Sequence, residues 1–485
     1  VKKKTAGKEA ARYRQAVGGE VRLEEVEERK NQNDFSQGSP LSHIMKMALP
    51  MMLAQAASIL YNLVDRMYIG RIPEIGREAL TGVGVAFPVI MIFTAVANMF
   101  GTGGGPRCSI DRGKGDLDHA EKVMGNAFFL IVVFGIGLSV ICYAFKRPLL
   151  YLVGASDATI GFADQYMSIY LIGTLFSMIS LGMNNYINAQ GFAKIGMMTV
   201  IIGAVLNIIL DPIFIFLLDM GVRGAALATV ISQFISAAWA LKFLFSKKAI
   251  LKFTLDRMRP DGEIIKSIFA LGFAGFIGVA TNAAVNLVAN GLLKNLGGDL
   301  YVGAMTVITS LREGLTLVVM GMVNGAGPVI GFNYGARLYK RTRECMKIAI
   351  ILSLSFNIAI WAVTMLFPEA LIRIFNSDPQ LIAVGVPAVK RYYCLFFMLA
   401  LMAAGQTCFL SLGKAKQAAF FSLFRKVMLG IPLMFLLPYV FGLGANGVYT
   451  AEPITDTIAG IASMSTLFLT VWRKLKNTPD GEPID

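Results

Sequence analysis

Two aspartates stand inside long apolar runs of this chain, Asp65 in "ILYNLVDRMYIG" and Asp211 in "VLNIILDPIFIF". Asn62 precedes the first by three residues and Asn207 precedes the second by four, spacings that put each amide on its carboxylate's helical face. An aspartate at the centre of a membrane helix costs about 2.5–3.5 kcal/mol on insertion scales, so each is expected to face protein or a wet cavity. Burial disfavours the charged form of a carboxyl, and a second carboxyl nearby disfavours it further. Such a pair can take up a proton on one side of a membrane and release it on the other. The same oxygens suit Na⁺ as hard ligands, with Asp65, Asp211 and Asn207 as the ligand set. Pro212 has no N–H for the carbonyl of Ile208 and disfavours a straight helix there, which opens a polar niche beside Asp211.

"MNNYINAQG" adds the amides Asn184, Asn185 and Asn188, and Tyr61 is a further donor. Two readings of these amides stay open: they line the same pocket, or they bridge helices at about 1 kcal/mol each. In the second half, Arg312 and Glu313 are adjacent, and Glu452 and Asp456 lie in "YTAEPITDTIAG". Each pair either touches substrate or ion, or has a blander place: a local compensated charge pair for the first, the outer headgroups for the second.

These residues need apolar helices to carry them. The 485 residues are 55% hydrophobic and 16% charged, with a mean hydropathy of +0.61, which excludes an ordinary soluble domain. About twelve segments are long enough to cross roughly 30 Å of hydrocarbon. They fall near 43–70, 79–105, 120–145, 162–187, 193–218, 222–246, 264–294, 300–330, 342–368, 381–411, 415–441 and 446–472. Residues 1–40 form a polar tail, mobile or surface-lying, with no apolar h-region of a signal peptide behind the lysines at 2–4.

The net charge of +14 is unevenly placed. Alternate connections and the C-terminus hold about 21 Lys or Arg and the other loops about 7, so both termini are expected in the cytoplasm. No basic and aromatic surface domain exists to bind nucleic acid. Cys108, Cys142, Cys345, Cys394 and Cys408 lack metal-ligand spacing and read as packing residues. His43 and His119 sit in polar flanks, which leaves no triad, metal site or cofactor to propose, and no enzyme is expected.

The chain also repeats itself. "GGGPRCSIDRGKG" at 103–115 matches "GAGPVIGFNYGAR" at 325–337, and "GFAK" at 191–194 matches "GKAK" at 413–416, both at an offset of 222. Two matches in one register predict a duplication of six spans. Six is even, so the halves share one orientation, related by a pseudo-two-fold along the membrane normal. The expected layout is all-α and integral to the membrane: a tail at 1–40, a first lobe at 41–246, a cytoplasmic linker at 247–263, a second lobe at 264–472 and a cytoplasmic tail at 473–485. At the repeat offset Asp65, Asn207 and Asp211 fall on Leu287, Leu429 and Leu433, so coupling chemistry is expected in the first lobe alone. The stretch "GTGGGPR" lacks the lysine and hydroxyl of a phosphate loop and reads as a close-packed corner where span two ends.

The chain resembles the multidrug and toxic compound extrusion family of secondary transporters over essentially residues 40–472. "LYNLVDRMYIG", "GTGGGPRCSIDRGKGD", "NNYINAQGFAKIGM" and "LNIILDPIFIF" carry the likeness. The resemblance implies twelve spans in two six-helix lobes forming a V, in the plasma (inner) membrane of a prokaryote. It implies export of amphipathic, often cationic organic compounds by antiport with H⁺ or Na⁺. In the branch with a span-one and span-five aspartate site it implies Asp65, Asp211 and Asn207 as the coupling residues, with Asn184 as a span-four amide of the same cluster. The chain departs from the family in having Asn188 and Gln190 where Arg and Glu are common. It also lacks the acids of spans seven and ten that another branch uses.

The expected mechanism is alternating access: H⁺ reaches Asp65 and Asp211 from outside, neutralisation rearranges spans one and five, and substrate leaves outward. Each chain holds a whole pathway, so a monomer is expected to function, with the lipid bilayer and small organic compounds as its partners. The rival readings are a flippase for lipid-linked or polysaccharide molecules, which an Arg- and Lys-rich cavity would favour, and a membrane scaffold without turnover.

Overall fold

The computed structural model describes residues 33–375 and 377–484, and the regular elements among them are helices. Eleven are long and apolar enough to cross a membrane. In chain order these are span one Pro40–Ile69, two Gly76–Lys114, three Leu117–Ala144, four Ile160–Ala189, five Ala193–Leu217 and six Gly221–Leu244, then eight Asp299–Gly335, nine Tyr339–Leu366, ten Pro379–Ser411, eleven Ala415–Tyr439 and twelve Ala445–Asn477. Span seven, Gly262–Gly297, adds a helix of 36 residues, and the chain is a multi-pass membrane protein of twelve spans in two lobes. Large apolar side chains such as Leu152, Ile172, Leu217 and Leu469 are exposed on its outside, where lipid would cover them.

The second lobe repeats the packing of the first. Span two packs on three and four, four on six, five on six and one on five; correspondingly, eight packs on nine and ten, ten on twelve, eleven on twelve and seven on eleven. The short helix Lys146–Leu152 after span three recurs as Pro368–Arg373 after span nine, again at the offset of 222. Between lobes, span one lies against eight and span two against seven and eight.

Local chemistry sets the helix ends. Asp116, Asp261 and Asp378 cap spans three, seven and ten by accepting backbone N–H groups with their carboxylates. Proline occupies the first turn of span one, where its missing N–H costs nothing.

The glycine-rich stretch corrects one expectation. Span two does not end near residue 105: it continues through Pro106 to Lys114 and leaves its axis at Gly115, whose φ is 77°. Helical hydrogen bonding does not require apolar side chains, so a charged turn extends the helix beyond the hydrocarbon. The glycines lie inside the helix, where they allow close approach. A Cβ on Gly113 would meet the carbonyl oxygen of Phe332 in span eight, and one on Gly335 would meet that of Ile110 in span two. These contacts are images of each other at the repeat offset, so the two lobes cross here through their matched glycines.

The chain ahead of span one corrects another. Residues 1–32 of the expected tail lie outside the described residues, but 33–38 are tied down rather than mobile. Arg341 donates to the carbonyls of Phe35, Gln37 and Gly38 at 2.8, 2.8 and 2.9 Å. Asn333 also reaches Phe35 O, at 3.2 Å. From the first lobe, Arg112 donates to Asn33 O at 3.3 Å, and Asn33 donates to Gln190 O at 3.3 Å. This segment therefore straps one lobe to the other.

The linker between the lobes is likewise docked. The N–H groups of Leu251, Lys252 and Asp261 donate to Gln190, Glu121 and Asn126 of the first lobe.

Candidate functional site

The first lobe gathers polar side chains from spans one, four, five and six. Asn207 and Asp211 lie one turn apart on span five, 2% and 0% exposed. Asn207 donates to Asp211 Oδ1 at 3.1 Å and to Thr229 of span six at 3.3 Å. Asp65 of span one lies beside Asp211, close enough for the two carboxyls to act on each other. Span five keeps α geometry through Pro212 and then widens into a π-helical turn, Ile213–Leu217, against which span six packs at Gly224. The bend expected from Pro212 thus takes the form of a widened turn immediately beyond Asp211.

Tyrosines enclose this pair. Tyr61 lies close to Asp65 and to Tyr170, and Tyr166 close to Asp65 and Thr229. Tyr166 and Tyr170 stack at 5.7 Å between ring centroids, and Gln233 of span six donates to the Tyr170 hydroxyl at 3.5 Å. Tyr166, Tyr170, Thr229 and Gln233 escaped the reading of the sequence. Their spacing of four residues on spans four and six is the signal that would have found them.

The electrostatics are unbalanced. Asp65 Oδ1, Asp211 Oδ2 and Asn207 Oδ1 are buried without a donor among the described residues. The neighbouring cation, Arg66, is exposed and lies over the Phe87 ring at 5.0 Å. Two carboxylates side by side in a desolvated pocket cannot both stay charged without compensation. A proton on one of them, or a cation shared by both, would supply that compensation.

Other expected site residues lie elsewhere. Asn184 donates to Gly196 O at 3.2 Å, near the start of span five. Gly196 and Asp211 are separated by about 22 Å of helix axis. Asn184 is therefore not part of the Asp65 and Asp211 cluster, because antiparallel spans four and five pair residues near their shared turn. Asn188 shares the Gly196 contact, and Asn185 donates to Leu181 O while facing Gly101 of span two. Asn62 bonds its own helix at Ser58 O, 2.7 Å away.

In the second lobe Arg312 and Glu313 do not form a local pair. Glu313 is exposed, whereas Arg312 turns inward to Glu452, Asp456 and Tyr392. Glu452 and Asp456 are buried at 2% exposure each, not placed at an outer headgroup surface.

The fold and its pairing of spans recur in solved proteins. An outward-facing multidrug resistance MATE family transporter of the MOP superfamily superposes with a TM-score of 0.85 at 23% identity, covering 92% of this chain and 99% of that one. A MOP superfamily transporter from Pyrococcus furiosus, described as having a binding pocket of reverse polarity, gives the same score, identity and coverage. Multidrug export protein MepA of Staphylococcus haemolyticus is 24% identical over 434 residues, 90% of this chain and 94% of that protein. MepA of Staphylococcus aureus strain MRSA252 is 23% identical over 438 residues, with 90% and 95% covered. The model of the MatE family matches residues 50–213 and 275–436, one stretch in each lobe and together more than half the chain, and on that match this protein belongs to the MatE family.

Proposed function

We propose that the protein is a secondary transporter that exports amphipathic organic compounds, cationic ones among them, by antiport with H⁺, with Na⁺ as the alternative coupling ion. One observation carries the reading: Asp65 and Asp211 lie side by side on two packed spans, with a buried oxygen of each left without a donor among the described residues. A membrane protein pays for such a pair only where its loading matters.

A proton arriving at Asp65 and Asp211 removes their mutual repulsion, and losing it restores that repulsion between spans one and five. Asn207 orients the Asp211 carboxyl, and Thr229 holds Asn207. Exchange follows if the organic substrate binds the two charge states unequally, since only differential affinity shifts a conformational equilibrium. The names of the MepA relatives and the shared family support multidrug export as the activity. The repeat equivalents of the coupling residues are leucines, which supports a single coupling site per chain and function as a monomer.

The test is efflux from proteoliposomes under separately imposed proton and sodium gradients, with several organic cations and one neutral compound. Export driven by the proton gradient alone is the expected result. Export only under a sodium gradient assigns Na⁺ to the same pocket, and no flux under either gradient overturns the reading.

A further inference from the structure

The second lobe contains a buried charge network that the coupling pocket does not use. Glu452 and Asp456 stand one turn apart on span twelve. One oxygen of Glu452, Oε1, accepts from three cations: Arg312 of span eight, Arg425 of span eleven at 3.0 Å and Lys426 at 2.8 Å. Arg425 Nε also donates to Asp456 Oδ1 at 2.5 Å, and Arg312 donates to the Tyr392 hydroxyl at 2.5 Å. Consecutive residues of an α-helix point about 100° apart. Here Arg425 and Lys426 lie in the π-helical turn Phe424–Gly430 and reach the same carboxylate.

Three basic side chains face two carboxylates, so with all five charged the network carries one positive charge in excess. Glu313, beside Arg312 in the chain, is exposed and makes no ion pair among the described residues. A charge buried between membrane helices needs a partner, and what is missing is a single negative charge. The side chains of Arg312 and Arg425 keep 15% and 12% exposure, so one edge of the network is open to a ligand. Tyr392 stands at the repeat equivalent of Tyr170. The network thus lies among the fourth, fifth and sixth spans of its lobe, as the acidic pocket does in the first, with the opposite sign of imbalance.

We propose that this network is a second binding site, which takes the carboxylate group of an organic compound entering between the lobes. Arg425 already gives Nε to Asp456 and Nη2 to Glu452, so the donors for a carboxylate come from Arg312, whose Nη2 stands 3.8 Å from Asp456. Glu452 and Asp456 would repel a doubly charged phosphate, so the site selects one negative charge. The site's part in export rests on the transport reading above, but the binding itself does not.

The test is calorimetric titration of the purified full chain in detergent with benzoate, with tetraphenylphosphonium as a cation of opposite sign and chloride as a simple anion. Lys426→Met leaves two arginines for two carboxylates and removes only the excess charge. It should fold with an unchanged or higher unfolding midpoint and bind benzoate on the order of tenfold more weakly, while tetraphenylphosphonium binding stays the same. Glu452→Gln adds to the excess and should tighten benzoate binding. Absence of benzoate binding to the unaltered protein, or equal affinity in Lys426→Met, overturns the proposal, as does chloride competing at equal concentration. Benzoate binding with no efflux of any compound keeps the site and removes only the transport reading.

Discussion

Asp211 is fully buried and keeps one carboxyl oxygen without a donor among the described residues, and Asp65 repeats that deficit beside it. Replacing Asp211 by Asn preserves shape and hydrogen-bonding capacity but cannot take up a proton. Asp211→Asn, and Asp65→Asn in the same way, should abolish gradient-driven efflux while the protein still inserts and purifies in normal amounts. Full efflux from either variant removes that residue from the coupling step. Thr229→Val deprives Asn207 of one neutral hydrogen bond, worth about 0.5–1.5 kcal/mol. Efflux should therefore fall roughly three- to tenfold, and an unchanged rate would show that Asn207 needs no support from span six. The two aspartates were legible in the sequence because a carboxylate in hydrocarbon is expensive wherever it stands. Asn184 was not, because helical spacing fixes a residue's face but not the depth at which two antiparallel helices meet. Tyr166 and Tyr170 were missed because tyrosine in a span reads equally well as an interface anchor. Glu452 reads as a headgroup neighbour until Arg312, 140 residues away in sequence, folds onto it.

At the scale of helices, the repeat was readable and the helix ends were not. Matched glycines at one offset predict the duplication, yet the function of Gly113 and Gly335 emerges only where spans two and eight cross. Each leaves room for the other span's carbonyl, and backbone cannot retreat as a flexible side chain can. Gly335→Val is expected to force the spans apart at a cost of about 1–3 kcal/mol or more. Its thermal unfolding midpoint in detergent should drop clearly below that of the unaltered protein. Gly137→Ala supplies the contrast, because a Cβ there meets nothing within 4 Å and alanine suits a helix interior better. Equal midpoints for the two variants would mean that the crossing is not tight. The polar end of span two was misjudged because hydropathy reports the hydrocarbon boundary, whereas the helix itself stops only at Gly115.

The whole molecule must open alternately if it exports by the proposed route, and on the orientation expected from the distribution of Lys and Arg the crossing of spans two and eight would lie at the cytoplasmic end. In this structure that end is closed by the glycine crossing and by the strap at residues 33–38, which Arg112 grips from one lobe and Arg341 from the other. Inward opening must therefore separate residues that now touch across the pseudo-two-fold. Ser109 and Gly331 are such a pair: they are repeat equivalents, and a Cβ on Gly331 would lie 3.2 Å from the Ser109 Cβ. That separation is close to what a disulfide spans, about 3.5–4.5 Å between Cβ atoms. The double variant Ser109→Cys with Gly331→Cys should cross-link under mild oxidation and be held closed at its inner end. Efflux from proteoliposomes should then stop and return when the bond is reduced, while each single variant stays insensitive to oxidant. Transport at the full rate with the cross-link formed would show that the lobes need not part here, and alternating access about this crossing would have to be abandoned.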